Sequence, residues 1–197
     1  MTAVLKEETV FTYADVLEWD DDVHAEIIDG EIYMMAEPLT VHQDILRELY
    51  VPICNFLKGK PCKAYCAPFG VRPEPKWDNS DKTRVQPDIT VICDESKIAD
   101  RGCHGAPDFI IEILSPSTSQ VDLKVKFELY QRIGVREYWI VDPKLRRVYV
   151  HLLSNGAYTT TTYDDTGTVG VKVLPGCIIN LKEVFPDSPT GASLHYG

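Results

Sequence analysis

The sequence predicts an α+β domain with an α/β core: a mixed central sheet flanked by helices, with β-hairpin additions at both ends. Three observations lead there. An apolar run, "PDFIIEILS" (107–115), precedes a helix-like stretch, "SQVDLKVKFELYQRIG" (119–134), and then a second apolar run, "VREYWIVD" (135–142). A helix between two strands makes a crossover, so these strands are expected to run parallel. Near the start, Asp29-Gly30 separates two apolar runs, a strong hairpin signal. Near the end, Asn155-Gly156 and Asp165–Gly167 punctuate a β-rich tail and read as hairpin turns.

The remaining elements follow in order. "TYADVLEWDDD" (12–22) reads as a short helix with Thr12 near its cap. "TVHQDILRELYVPICNFLKGK" (40–60) reads as a helix. Thr40 and Gln43 stand at capping-box spacing, and Val41, Ile45, Leu49, Ile53 and Phe56 or Leu57 recur at helical intervals. Pro52 is expected to kink or end it. "CKAYCAPFGVRP" (62–73) and "VQPDITVIC" (85–93) are β-rich, with a polar loop (74–83) between them. In 119–134, Ser119 reads as the cap, Gly134 as the stop, and Val121, Val125, Leu129 and Ile133 as the core stripe. "RRVYVHLL" (146–153) is a further strand.

The 197 residues suit one domain, 1–197, with its core over approximately 40–153. The composition, 44% hydrophobic and 25% charged, is that of a globular protein. No run is long enough to span a membrane and the first residues lack a signal-peptide layout, so a cytoplasmic protein is expected. The net charge of −10 argues against unassisted, non-specific nucleic-acid binding. It is unevenly spread: residues 1–50 carry −11 and residues 51–150 carry +3. That leaves room for a local basic surface on the middle segment. The six cysteines form no CxxC pair, so a zinc ribbon is not indicated. Cys62, Cys66, Cys103 and His104 could supply metal ligands, but scattered reduced thiols, neither ligands nor disulfides, are the expectation.

The chemistry begins with Glu112, one carboxylate inside an apolar strand. On a strand over 108–114, Asp108, Ile110, Glu112 and Leu114 share a face. A buried carboxylate needs a cationic side chain or a metal ion opposite it. Asp88 opens the 85–93 strand behind Pro87. If the two strands pair, Asp88 and Glu112 can chelate one hard cation through oxygen. Lys126 lies four residues after Asp122 on one helix face. It either forms a surface ion pair worth ~0.3 kcal/mol or reaches over the sheet to Glu112. Lys124 points elsewhere around the helix. Two acids and a lysine suit phosphodiester hydrolysis, with the ammonium offsetting transition-state charge or orienting water. The same trio could be a structural salt-bridge cluster, and spacing does not choose.

Asp88 in "QPD", Glu112 in "IEILSPST" and Asp122, Lys126, Tyr130 and "GVREYWIVDP" (134–143) resemble the putative restriction endonuclease family of uncharacterised proteins, within the PD-(D/E)XK nuclease superfamily. "AEIIDGEIYMMAEP…H" (25–42) and "LPGCIINLKEVF" (174–185) are similar to it too. The resemblance implies a restriction-endonuclease-like fold and a metal-dependent DNA endonuclease. Asp88 and Glu112 would hold Mg²⁺ or Mn²⁺, with duplex DNA as substrate and a homodimer by analogy. Leu114 stands where the superfamily has its lysine, so Lys126 would serve as a migrated lysine. Glu26 and His42 match family positions. Glu26 would cap the site or pair with a base, and His42 would approach the metal or be a hydrogen-bonded structural residue. Ser115, Ser117 and Thr118 read as turn and cap residues, "YWIV" (138–141) as core strand and Tyr130 as packing. The competing class is a catalytically weak nuclease-fold module that binds nucleic acid or a protein. A carboxylate-pair glycosidase fits poorly, because it leaves Lys126 without a role.

Overall fold

The structure, a computed structural model, describes residues 9–20, 23–116 and 121–185. It runs from α1 (Tyr13–Val16) through the hairpin of β1 (Ala25–Ile28) and β2 (Glu31–Met34) to α2 (Thr40–Leu57). Then come β3 (Lys63–Cys66), β4 (Val71–Arg72), β5 (Ile89–Ile92), β6 (Ile98–Ala99), β7 (Gly102–His104) and β8 (Phe109–Ile113). A π-helical turn (Val121–Lys126) leads into α3 (Phe127–Ile133). After it follow β9 (Glu137–Asp142), β10 (Arg147–Ser154), β11 (Ala157–Asp164), β12 (Thr168–Gly170), β13 (Ile178–Asn180) and α4 (Leu181–Val184).

The central sheet has six strands in the order β11-β10-β9-β8-β5-β3. β8 and β9 run parallel, as the crossover requires, and the other neighbours are antiparallel. Every residue of β8 is buried because both faces are covered. Alternation sends Phe109, Ile111 and Ile113 to one side, where Ile45, Leu49 and Ile53 of α2 pack. Each such side chain contributes ~1.5–3 kcal/mol by leaving water. Ile110 goes to the other side, where Tyr138, Ile140 and Leu129 and Tyr130 of α3 pack. Glu112 shares that second side. The result is the expected mixed α+β architecture, with hairpins added at both ends. Asp29 (φ 53°) and Gly30 (φ 90°) make the first hairpin turn, and Asn155 (φ 52°) and Gly156 (φ 80°) the turn from β10 to β11.

Several local expectations need correction. The first helix ends at Val16, and the Asp15 carboxylate takes up both the backbone N–H and the hydroxyl of Thr12, each at 2.7 Å. Leu39, not Thr40, caps α2, and its carbonyl accepts from His42 and Gln43 N–H. Thr40 is already helical, so the capping-box pair is unused. α2 also continues through Pro52 to Leu57, leaving the Glu48 carbonyl without its usual helical donor. The stretch 165–167 does not close a hairpin with β11: β12 pairs with β13 instead. In the helical segment, Gly134 stops the chain at φ 89°, Leu129 of the expected core stripe is buried, and Val121, Val125 and Ile133 are half-buried and pack against the same cluster. Asp122, Lys126 and Tyr130 are the buried positions beside it. The expected roles of Ser117, Thr118 and Ser119 lie outside the described residues.

The cysteines differ most. Lys63 pairs with Ile92, so the next residue outward on each strand, Cys62 and Cys93, meet, and they form a disulfide. Cys54, Cys66, Cys103 and Cys177 are free thiols. Among the described residues no helix is long and apolar enough to cross a membrane.

Candidate active site

Five segments of the chain deliver the site. Asp88 immediately precedes β5, and the pairing of Ile89 with Ile111 sets it opposite Glu112 on β8. The Asp88 Oδ2 accepts the backbone N–H of Ile113 at 2.7 Å and faces His42 Nε2 at 3.1 Å. His42 comes from the first turn of α2. Because an ionised carboxylate only accepts, the imidazole Nε2–H is the donor. Glu112 Oε1 accepts from Lys126 Nζ at 3.0 Å and from the Tyr130 hydroxyl at 2.7 Å. Its Oε2 has a long contact, 3.5 Å, with the Asp88 N–H. Lys126 Nζ also stands 2.8 Å from Glu26 Oε2 and 3.3 Å from Asp122 Oδ1. The other Glu26 oxygen accepts the Gln86 N–H at 2.6 Å.

All six residues singled out in the sequence, Glu26, His42, Asp88, Glu112, Asp122 and Lys126, are thus connected in one cluster. Lys126 turns inward and is 4% exposed, while Lys124 faces solvent. The ion pair with Asp122 is therefore buried rather than a surface pair. Sequence reasoning missed Tyr130, which donates to Glu112 besides packing. Its spacing, i+4 from Lys126 and i+8 from Asp122, was the available signal. Asp122 and Lys126 are both buried in the π-helical turn over 121–126 that precedes α3.

Electrostatics follow from burial and an excess of acids. Burial, then the charges of Asp122, Asp88 and Glu26, push the Glu112 carboxyl well above its usual range, against the pull of Lys126. Burial disfavours the Lys126 charge, yet Glu112, Glu26 and Asp122 outweigh it and hold the ammonium protonated. For His42 too, burial is outweighed, by the hydrogen bond and charge of Asp88, so its pKa rises. His42 Nδ1 is buried with no hydrogen-bond partner among the described residues.

Such a donor set fits a hard divalent cation in part. Two carboxylates meet across adjacent strands, Glu112 Oε2 is weakly engaged, and carboxylates outnumber cations. No three His, Cys, Asp or Glu side chains gather closely enough to enclose a metal among the described residues. Two protein carboxylates, with the remaining positions left to water and phosphate, is the usual habit of Mg²⁺. Cys62 is bonded to Cys93, so the alternative thiol site with Cys66, Cys103 and His104 does not form.

The class is a mixed α+β domain, a six-stranded central sheet with flanking helices that carries a cluster of acids around one buried lysine. The chain belongs to the Uma2 family, described as "Putative restriction endonuclease", whose model matches residues 13–182. Its fold is similar to the crystal structure of a putative nuclease belonging to DUF820 from Anabaena variabilis, with TM-score 0.71 and 22% identity. That similarity covers 89% of this chain and 97% of the other. A match of 29% identity over 119 residues links it to an uncharacterized protein of Synechocystis sp., covering 59% of this chain and 60% of the relative's length.

Proposed function

We propose that this protein is a metal-dependent DNA endonuclease. The observation that carries the reading is the meeting of Asp88 and Glu112 across paired strands beneath the Lys126 ammonium. Asp88 and Glu112 hold Mg²⁺ or Mn²⁺. The bound cation supplies Lewis acidity toward water and a phosphate oxygen. Lys126, fixed by Glu26, Glu112 and Asp122, presents positive charge where the phosphate gains negative charge, or orients the attacking water. Tyr130 and Glu26 position Glu112 and Lys126. His42 fixes the Asp88 carboxylate and supplies a proton donor at its edge. Family membership supports a nucleic-acid substrate. Because each chain carries one such site, scission of both strands of a duplex calls for two chains, and a homodimer belongs to the proposal.

A second reading has its own observation. Lys126 is 4% exposed and lies within 3.3 Å of three carboxylates, as a structural ion cluster would. A catalytically weak nuclease-fold module that binds nucleic acid or a protein would keep the cluster and lack metal-dependent cleavage. Calorimetric titration with Mg²⁺ or Mn²⁺ separates the two. Binding that Asp88→Asn or Glu112→Gln abolishes is expected, and equal affinity in wild type and both variants would overturn the metal assignment.

A further inference from the structure

The central sheet has two edges, and they are built differently. β3, at one edge, has four residues, carries Lys63 and is tied to β5 by the bond between Cys62 and Cys93. Its Ala64 carbonyl accepts from the Tyr50 hydroxyl of α2 at 3.1 Å. Shortness, a lysine and a covering helix all blunt an edge strand against other chains. β11, at the opposite edge, has none of these. It is eight residues long, "AYTTTTYD" (157–164), with no proline, no lysine or arginine, and no bulge in its register with β10. Thr159, Thr160, Thr161 and Thr162 are all exposed, so both faces of the strand reach solvent there.

The register tells which backbone groups look outward. Ser154 pairs with Ala157 around the Asn155-Gly156 turn, and in a two-residue hairpin that pair is hydrogen-bonded. Alternation from there turns the N–H and C=O of Tyr158, Thr160 and Thr162 away from β10. The Tyr158 N–H agrees, because it donates to Gln131 Oε1 at 2.8 Å instead of to β10. The outward groups of Thr160 and Thr162 have no partner among the described residues, and no other strand lies beyond β11 there.

We propose that β11 pairs antiparallel with β11 of a second copy of this chain, across a twofold axis at Thr161, so that the two central sheets become one. This register sets Thr160 opposite Thr162 of the second copy, and Thr162 opposite its Thr160, so the outward N–H and C=O groups answer one another. A second copy is the occupant because the strand is its own complement. Threonine meets threonine in the hydrogen-bonded pairs, Thr161 meets itself, and Thr159 meets Tyr163. The strand's one charge, Asp164, falls opposite Tyr158 and not opposite another acid. A register centred on Thr160 would call instead on the Tyr158 N–H, which Gln131 already occupies. A strand pair is a small interface, so the dimer is expected to dissociate on dilution. The inference names the surface for the homodimer of the nuclease reading, while resting on the strand edge and not on the metal site.

The test is sedimentation velocity of the full chain in EDTA over a concentration series. Wild type is expected to pass from monomer to dimer. Thr162→Pro removes an outward donor and leaves the β10 ladder intact. Thr161→Lys and Thr161→Glu each set like charges against one another on the axis. Each of the three should weaken self-association about 5-fold or more, with thermal melting as the folding control. Mixing Thr161→Lys with Thr161→Glu should restore the dimer, and that pair decides alone if Thr162→Pro fails to fold. On oxidation Thr161→Cys should give a disulfide-linked dimer that wild type does not, because a non-hydrogen-bonded pair brings Cα atoms to about 4.5 Å. Thr159→Cys should not, its two copies lying ~13 Å apart. A wild type that stays monomeric throughout overturns the proposal. So does a dimer that the substitutions leave unchanged, or cross-linking through Thr159→Cys equal to that through Thr161→Cys. Dimerisation without metal-dependent cleavage would leave the interface standing and the nuclease reading fallen. Metal-dependent cleavage by a wild type that stays monomeric would do the reverse.

Discussion

Nζ of Lys126 lies 3.0 Å from Oε1 of Glu112, a residue 14 positions earlier on the central strand of the core. Read as a surface pair with Asp122, Lys126 would be worth at most ~0.5 kcal/mol and its removal would leave folding nearly intact. Its burial reverses that expectation. Lys126→Met removes the cation and leaves Glu26, Glu112 and Asp122 facing one another in the interior. A loss of ~3–5 kcal/mol is expected in EDTA, measured by urea unfolding. Mg²⁺ should restore part of it, because a cation held by Asp88 and Glu112 would answer the Glu112 carboxylate, one of the three. Lys124→Met, on the exposed side, should change stability by less than ~0.5 kcal/mol. An unaltered urea midpoint for Lys126→Met would show that the cluster is not held together as described.

Much of this was readable in the residues. The strand over 107–115, the crossover to 135–142, the Asp29-Gly30 hairpin and the Gly134 stop each rest on local rules that tertiary packing left in place. Glu112 was legible as a residue in need of a partner because a carboxylate in an apolar run demands one, and Asp88 followed from the pairing of its strand with that of Glu112. The helical stripe was legible too: Leu129 is buried, and Val121, Val125 and Ile133 pack against the same cluster. Apolar spacing could not show that the neighbouring positions Asp122 and Lys126 are also buried, as polar groups that pair with one another. Pro52 stayed inside α2 because Ile45, Leu49 and Ile53 pack on the sheet strongly enough to offset one missing hydrogen bond. The meeting of Cys62 with Cys93 depends on the register of β3 against β5, which no sequence spacing encodes.

The disulfide makes its own prediction. Cys62 and Cys93 are 31 residues apart and close a loop that carries Asp88. Under oxidising conditions Cys93→Ser should lower stability by ~2–4 kcal/mol, as for removal of a typical cross-link. Thiol alkylation followed by mass spectrometry should find four reactive cysteines in the denatured, unreduced protein. Six would mean that the pair is reduced.

His151 predicts an acid sensitivity. Burial lowers its pKa from 6.5 to about 4, with Nδ1 against Thr160 Oγ1 at 2.7 Å and rings of Phe127, Tyr138 and Tyr158 around it. Between those two values the unfolded chain binds a proton that the folded chain refuses. Its contribution is therefore neutral above the unfolded pKa and destabilising as pH falls from about 6.5 toward 4, by up to roughly 3 kcal/mol. His151→Gln should flatten the fall in unfolding free energy over that window. Parallel pH profiles for wild type and His151→Gln would contradict it.

Cleavage tests the central claim most directly. Purified protein is incubated with supercoiled plasmid and with single-stranded DNA in Mg²⁺, Mn²⁺ or EDTA, and the cleavage rate per chain is measured at saturating cation. The predicted result is cleavage in either metal and none in EDTA. It should fall ~10²-fold or more in Lys126→Met, under conditions where the variant remains folded, and to background in Asp88→Asn and Glu112→Gln. Wild-type rates no higher with metal than with EDTA would contradict the account, and so would equal rates for wild type and Asp88→Asn.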